Sequence, residues 1–462
     1  MPIPSKTFWI ETFGCQMNVH DSERVAGTLS ARGYTPVERM EDAGLILFNT
    51  CSIRDKAAQK VFSRLSQYKA LHREGRVFGV LGCVAQQEGE ALFRRAPHVS
   101  LVAGSASYPR LPELLARLEA GEHRVTGLDP ASEEAFETEL TRRDHPFRAW
   151  LTIIEGCDKH CAYCIVPYTR GGERSRASAA ILREARMLAD TGYTEIQLLG
   201  QNVNSYRDPS PAGLSFAELL AAVAETPGLK RVRYTTSHPR DFSAEIVRVM
   251  GDHPTLCDHV HLPSQSGSDE VLRRMRREYT RAEYLEKIAL IRGCRRPLAI
   301  TTDLIVGFPG ENERDFEQTM SLIEEVHYSG TFIFQYSPRP HTEAGAWGET
   351  EAVPDAVKIE RLMALQRRQQ EIQAADNQAW VGRPVEVMIE AYQTKLAQWS
   401  GRASSNRVVN FSGDGRVEAT APGALPVYRP LRPGEYAWVR ILRAGANSLV
   451  GEQIAAPPAA NA

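Results

Sequence analysis

The sequence predicts an α/β protein in three parts: an N-terminal parallel sheet covered by helices, a central partial (β/α)6 barrel, and a small C-terminal β-barrel. Three observations carry this. Short apolar runs alternate with longer helical patterns near the N-terminus, the alternation returns with six strand-like runs further on, and past a polar helical stretch the pattern becomes one of short alternating strands. At 462 residues and 42% hydrophobic content, the chain is too long for one ordinary core and too apolar for a disordered protein.

In the first part, 5–125, the strand-like runs are Phe8 to Thr12, Leu45 to Asn49 and Val77 to Leu81. Amphipathic stretches between them are the pattern of a parallel sheet buried under helices. From Gly127 to His145 the periodicity fails and acidic residues such as Glu133, Glu134 and Glu137 appear, so this stretch reads as a linker. The central part, 143–376, has runs at Trp150 to Ile154, Ile196 to Leu199, Val232 to Thr235, His259 to Leu262, Ile300 to Ile305 and Thr331 to Tyr336. In a barrel of such units the chemistry sits where strands run into loops at their C-terminal ends. A polar helical stretch from Val357 to Gln378 leads to the third part, 378–446, with strands at Val385 to Ile389, Arg407 to Phe411 and Tyr436 to Ile441. Residues 447–462 read as a tail, disordered from Ala455.

The formal net charge of -2 offers nucleic acid no global attraction, so a polyanion would have to be held by a local basic surface. From Trp380 to Ala446 there are nine Lys and Arg against five Asp and Glu, a net of +4. Arg402, Arg407 and nearby Phe411 combine cations for phosphate with an aromatic able to stack on a base. Arg273, Arg274, Arg276 and Arg277 form a basic helical stretch that reads as a solvated face. The N-terminus shows no basic region followed by an apolar core, and no apolar run is long enough to cross a bilayer, which predicts a cytoplasmic protein. In that compartment eight cysteines point to metal or redox chemistry before disulfides.

Cys157, Cys161 and Cys164 follow a predicted strand with the spacing C-x3-C-x2-C. Three such thiolates can each take one iron of a four-iron four-sulfur cluster and leave the fourth iron without a protein ligand. A zinc site and a Cys161–Cys164 redox pair are the alternatives. Zinc wants a fourth ligand, for which His160 is badly placed, and a dithiol pair leaves Cys157 unexplained. Cys15, Cys51 and Cys83 each fall at or within two residues of the end of a predicted strand, where ligands of open α/β folds collect. They meet in space if those strands are parallel neighbours; the alternative is three buried cysteines acting as small hydrophobes.

The three-cysteine loop resembles that of the radical S-adenosylmethionine superfamily, in which the open iron chelates the cofactor and reductive cleavage yields a 5′-deoxyadenosyl radical. The other three cysteines sit within Glu11-Thr12-Phe13-Gly14-Cys15-Gln16-Met17-Asn18, Asn49-Thr50-Cys51-Ser52-Ile53-Arg54 and Leu81-Gly82-Cys83-Val84-Ala85-Gln86. These look like the signatures of the methylthiotransferases, a resemblance that covers nearly the whole chain. It implies an auxiliary cluster on Cys15, Cys51 and Cys83, a radical domain and a C-terminal RNA-binding barrel of the TRAM type. The cofactors it implies are two four-iron four-sulfur clusters and S-adenosylmethionine.

Tyr163 matches the superfamily's aromatic that lies against the cofactor adenine. Gly200, Gln201, Asn202, Ser237, Asp303 and Glu311, at or near the ends of successive strands, are candidates for further cofactor contacts, the alternative being ordinary strand-to-helix turns. The run Leu198-Leu199-Gly200-Gln201-Asn202-Val203-Asn204-Ser205-Tyr206 resembles the branch acting on N6-isopentenyladenosine in tRNA, beside the anticodon on its 3′ side, and Tyr234 to Arg240 points the same way. In that reading one S-adenosylmethionine gives a methyl group to sulfur at the auxiliary cluster and a second is cleaved to activate C2 of the adenine. The partners implied are a reduced flavodoxin or ferredoxin type electron donor and iron-sulfur or sulfur supply proteins; the expected state is a monomer. Rival readings change the substrate to N6-threonylcarbamoyladenosine or a ribosomal-protein aspartate, or make the chain a non-catalytic iron-sulfur RNA-binding regulator. Two departures from the family pattern stand out: Gly172 where Arg is common, and Pro340-His341-Thr342 in place of Pro-Gly-Thr. Cys257 and Cys294 match no cluster motif and read as structural.

Overall fold

The computed structural model describes residues 3, 5–52, 55–129, 140–143, 145–211, 213–348, 351–418 and 427–457. Ile53, Arg54, Glu133, Glu134, Glu137 and the end of the tail from 458 lie outside these. The N-terminal unit is a six-stranded sheet in the order Thr35–Pro36, Thr7–Phe13, Leu45–Thr50, Val77–Leu81, Val99–Ala103, Val125–Gly127. Every pairing is parallel. Leu45–Thr50 is buried at all six positions because both faces are covered. Leu45 and Leu47 pack with Val25 and Leu29 of helix Gln16–Ala31 on one face, while Ile46 and Phe48 pack with Val61 and Leu65 of helix Asp55–Gln67 on the other.

The central unit has two three-stranded parallel sheets, Arg231–Tyr234 with Glu195–Leu199 and Arg148–Thr152, and His259–His261 with Ala299–Val306 and Gly330–Gln335. A bridge between Val232 and Leu256 carries one toward the other, which makes a partial barrel. Ile196, Leu198, Val232, Val260, Leu304 and Val306 point out into the core shared with the surrounding helices. Strand alternation therefore turns Gln197, Arg233, Thr235, His261, Thr301 and Asp303 into the lumen. The described end of the linker is held down rather than loose. Leu140 lies so close on helix Gln16–Ala31 that a Cβ on Gly27 would sit 1.2 Å from its carbonyl oxygen. Arg143 donates to the Trp150 carbonyl at 2.7 Å and pairs with Glu184.

Helix Asp355–Gln378 leads to a closed five-stranded barrel ordered Pro384–Gln393, Gln398–Ala403, Val408–Ser412, Leu449–Ile454, Tyr436–Ala444. The third part therefore runs past 446. Leu449–Ile454, expected in the tail, pairs parallel to Val408–Ser412 and antiparallel to Tyr436–Ala444, and without it the barrel would have two free edges. The barrel docks beneath the central unit through two buried arginines. Arg231 donates to the carbonyls of Arg402 at 2.6 Å and Glu386 at 2.9 Å, and Arg233 to those of Ala403 at 2.9 Å and Ser404 at 3.0 Å. Among the described residues no helix is long and apolar enough to cross a membrane.

Candidate active site

Cys15, Cys51 and Cys83 follow three neighbouring strands whose register sets Phe13 beside Thr50 and Asn49 beside Leu81, so the three thiols share one edge of the sheet. Two glycines make room for them. Gly14 has φ +128°, and a Cβ there would lie 2.2 Å from that of Cys51; Gly82 has φ +84°, and its Cβ would lie 2.4 Å from Asn49 Oδ1. Asn18 Nδ2 donates to Asn49 Oδ1 at 3.2 Å, Asn49 Nδ2 donates to the Asn18 carbonyl at 3.0 Å, and the Cys15 thiol donates to Asn18 Oδ1 at 3.2 Å. The hydrogen bond with Cys51 draws the Cys15 thiol down to about 6 against the opposing effect of burial, and the Arg170 guanidinium adds to the fall.

Cys157, Cys161 and Cys164 sit on the loop after strand Ile154–Glu155. Gly156, at φ +78°, lets that loop pass so close to the Gly172 backbone that a Cβ would meet its carbonyl oxygen at 1.9 Å. The Cys157 sulfur accepts the Lys159 backbone N–H at 3.4 Å, and the Cys161 sulfur accepts from Arg277 Nη1 at 3.3 Å. Burial pushes the Cys157 thiol up to about 11 and the Cys164 thiol up to about 12, so both keep their protons until a metal displaces them. No disulfide joins any of the eight cysteines, and His160 is exposed. Among the described residues no three His, Cys, Asp or Glu side chains are gathered as around one metal ion. Three thiols per site, sulfur-directed N–H donors at the second and no fourth ligand fit a cluster in which each cysteine takes a different iron.

The two sites are joined. Helix Val166–Arg170 begins two residues after Cys164 and ends with Arg170, whose guanidinium is buried against Asp21 at 2.5 Å, beside Cys15 and Cys83. Cys15 also packs with Met17, Trp150 and Leu199, the last two on barrel strands. Gln16 Oε1 accepts from Gln197 Nε2 at 2.9 Å and from Thr235 Oγ1 at 3.4 Å inside the lumen. Both cysteine sets thus border one barrel.

The strand-end residues divide by what they touch. Gln201 Oε1 accepts the Gly156 N–H at 2.6 Å and steadies the cysteine loop, and Gly200 lies against Ile154, where a Cβ would be 2.3 Å from Cγ2. Asn202 Nδ2 donates to Asp241 at 2.7 Å, but Asn202 Oδ1 and Ser237 Oγ are buried with no protein partner, so a polar ligand would satisfy them. Asp303 faces His261 Nε2 at 3.5 Å. Glu311 is taken up by the protein: its Oε1 accepts from the Gly307 N–H at 2.9 Å and from Arg361 at 2.7 Å. Tyr163 is edge-on to Phe308 at 6.3 Å and borders Arg277.

Three expectations change here. Phe411 is 0% exposed in the barrel core with Val409 and Val439, because strand alternation turns it inward, so it presents no face to a base. Arg407 is spent on docking, its Nε donating to Asn377 at 2.8 Å and its Nη2 to Ser329 at 3.2 Å; Arg402, in contrast, stays partly exposed beside Glu390 at 3.3 Å. Arg277 is buried at the cysteine loop and not on a solvated face. The helix stops at Arg274, and Arg276 in a left-handed conformation, φ +53°, turns the next residue inward. No periodicity in the sequence marks that turn, and no motif there marks the reach of Arg170 to Asp21.

Residues 7–104 match the family described as Uncharacterized protein family UPF0004, and residues 151–323 match the Radical SAM superfamily. The chain is 57% identical over 453 residues to the tRNA-2-methylthio-N(6)-dimethylallyladenosine synthase of Solibacter usitatus, covering 98% of this chain and 99% of that protein. The synthase of Koribacter versatilis is also 57% identical, over 98% of this chain and 100% of its own. The chain belongs to the tRNA-2-methylthio-N(6)-dimethylallyladenosine synthase family. Membership extends over the whole architecture, since the synthase of Geobacter metallireducens, at 44% identity, still aligns with 97% of the chain. Among solved structures, the radical S-adenosylmethionine methyltransferase TsrM from Kitasatospora setae superposes with a TM-score of 0.56 at 14% identity, covering 74% of each chain. The cobalamin-dependent enzyme OxsB follows at 0.50 and 12%, over 79% of this chain and 56% of its own. These two likenesses concern the fold.

Proposed function

We propose that the chain places a methylthio group on C2 of N6-isopentenyladenosine in tRNA, on the 3′ side of the anticodon, giving 2-methylthio-N6-isopentenyladenosine. The observation that carries the reading is the pair of three-cysteine sets bordering one lumen, in a chain 57% identical to synthases named for this product. Cys157, Cys161 and Cys164 hold one four-iron four-sulfur cluster, and Cys15, Cys51 and Cys83 hold the second. When bound, the clusters and two molecules of S-adenosylmethionine supply a methyl group, a metal-held sulfur and a radical able to attack an aromatic C–H.

The chain's own residues bind and orient. Gln201 and Arg277 brace the cysteine loop from two sides, Asn202 Oδ1 and Ser237 Oγ receive polar groups of the cofactor, and Tyr163, Gly200 and Asp303 shape its bed. Glu311 acts at one remove, through Gly307 and Arg361. The C-terminal barrel contacts the tRNA, with Arg402 on the same hairpin that pairs exposed Tyr392 with Trp399 at 4.9 Å between ring centres. A reduced flavodoxin or ferredoxin type donor and iron-sulfur or sulfur supply proteins complete the reading, for a monomer in the cytoplasm.

Nucleoside analysis of tRNA incubated with the reconstituted, reduced protein tests it. The expected product is 2-methylthio-N6-isopentenyladenosine, and the expected load is two four-iron clusters, one of which is lost when Cys157, Cys161 and Cys164 become alanine. Methylthiolation confined to N6-threonylcarbamoyladenosine or to a ribosomal-protein aspartate, or no cleavage of S-adenosylmethionine at all, would overturn it.

A further inference from the structure

Strand Gly330–Gln335 is the last of the central unit, and its free edge borders the opening of the partial barrel. Its register sets Phe332 beside Asp303 and Phe334 beside Ile305. Leu304 and Val306 belong to the outer core and Ile333 packs against it, so the residues that alternate with them, Asp303, Ile305, Phe332 and Phe334, turn toward the lumen. Phe332 is 56% exposed and Phe334 40% exposed. Two bare aromatic rings on the inner wall of a chamber need a reason, because leaving them in water forfeits the gain of burying them.

The neighbourhood is built. The His261 ring stands edge-on to Phe332 at 5.9 Å, and it is fixed by Thr301 Oγ1 at 3.0 Å and by Asp303 at 3.5 Å. Elsewhere the lumen is polar, with Gln197, Arg233 and Thr235 from the other sheet and Gln16 reaching in from the start of helix Gln16–Ala31. The two phenylalanines form an apolar wall within the chamber that both cysteine sets border.

We propose that Phe332 and Phe334 seat the branched apolar N6 substituent of the target adenosine and are specificity-determining residues. The proposal rests on the function given above and names how that substrate is told from its relatives. Of the groups on the modified base only the dimethylallyl chain is apolar, and against the two rings it covers surface that is otherwise wet. A threonylcarbamoyl group at the same place would press a carboxylate and a hydroxyl on the rings with nothing to pair them, which disfavours it.

Binding of full-length tRNA to the cluster-loaded protein, with and without the dimethylallyl group, tests the seat without depending on turnover. The wild type prefers the dimethylallyl form. In the double variant Phe332→Ala, Phe334→Ala that preference falls by about tenfold or more, the loss falling on the dimethylallyl form, and Phe332→Leu, Phe334→Leu regains most of it. An unchanged preference in the alanine variant overturns the proposal, as does an equal weakening toward both tRNAs that leucine fails to rescue. A wild type that forms no methylthio product on dimethylallyl tRNA brings down the proposed function itself, a result that does not involve the variants.

Discussion

Single residues set the terms at both cysteine sets. Gly82 combines φ +84° with a Cβ position 2.4 Å from Asn49 Oδ1, so any side chain there strains the backbone and breaks the Asn18–Asn49 pair. Gly82→Ala should cost about 1–3 kcal/mol in denaturant unfolding and, with the two clusters proposed above, lower the iron content toward a single cluster while keeping the signal of the one proposed on Cys157, Cys161 and Cys164. Full iron content in this variant would show that the cradle is not needed. His341 illustrates the converse. It stands where the family pattern has glycine and holds φ +65°, a region in which histidine is tolerated better than bulkier residues. Gly172, where Arg is common, leaves only Asp158 Oδ1 within reach of an added Cβ, at 3.2 Å, and Asp158 instead accepts the Glu173 N–H at 2.8 Å.

At the scale of elements, strand Leu449–Ile454 closes the C-terminal barrel by pairing with two strands at once. A chain ending at 446 should lose the barrel cooperatively, seen as proteolysis confined to residues beyond helix Asp355–Gln378, while the central unit resists. Resistance of the shortened barrel would mean that four strands suffice. This strand was hard to see in the sequence because Gly451 and Glu452 interrupt its pattern and it follows what reads as the end of a domain. The strands that bear the cysteines were plain for the opposite reason. Leu45–Thr50 and Val77–Leu81 are buried on both faces and read as unbroken apolar runs, so the thiols at their ends were legible together with the sheet. Inward and outward positions in the small barrel follow from alternation, which sends Val409 and Phe411 the same way. What no periodicity carries is the path of an irregular turn, and Arg277 comes to the cysteine loop by such a turn.

For the whole molecule, buried histidines link stability to acidity. Burial holds His259 well below its ordinary value, with His261, Arg233, Arg407 and Arg402 adding to the effect, and burial pushes His238 down to about 2. Each stays neutral in the fold while its unfolded counterpart takes a proton near 6.5, so the unfolded chain binds more protons as pH falls. Stability present above the unfolded value is therefore lost on acidification, by about 2 kcal/mol for such a histidine at pH 5. The denaturant midpoint should fall between pH 7 and pH 5, and His259→Asn should shrink that fall. An identical fall in the variant would remove His259 as a cause.

The docking of the C-terminal barrel has a consequence for how the molecule can change over time. Arg231 and Arg233 read carbonyl oxygens of Arg402, Ala403, Ser404 and Glu386, groups that every amino acid possesses. These four contacts tolerate a change of side chain so long as the main chain keeps its path, whereas the ion pair of Arg148 with Glu390 at 2.7 Å and the Asp258 N–H donated to Ser404 Oγ at 3.0 Å hold particular side chains in the joint. A grafted barrel that keeps this backbone course together with Glu390, Ser404 and Arg407 would redirect what the enzyme grips while leaving its seat on the central unit intact.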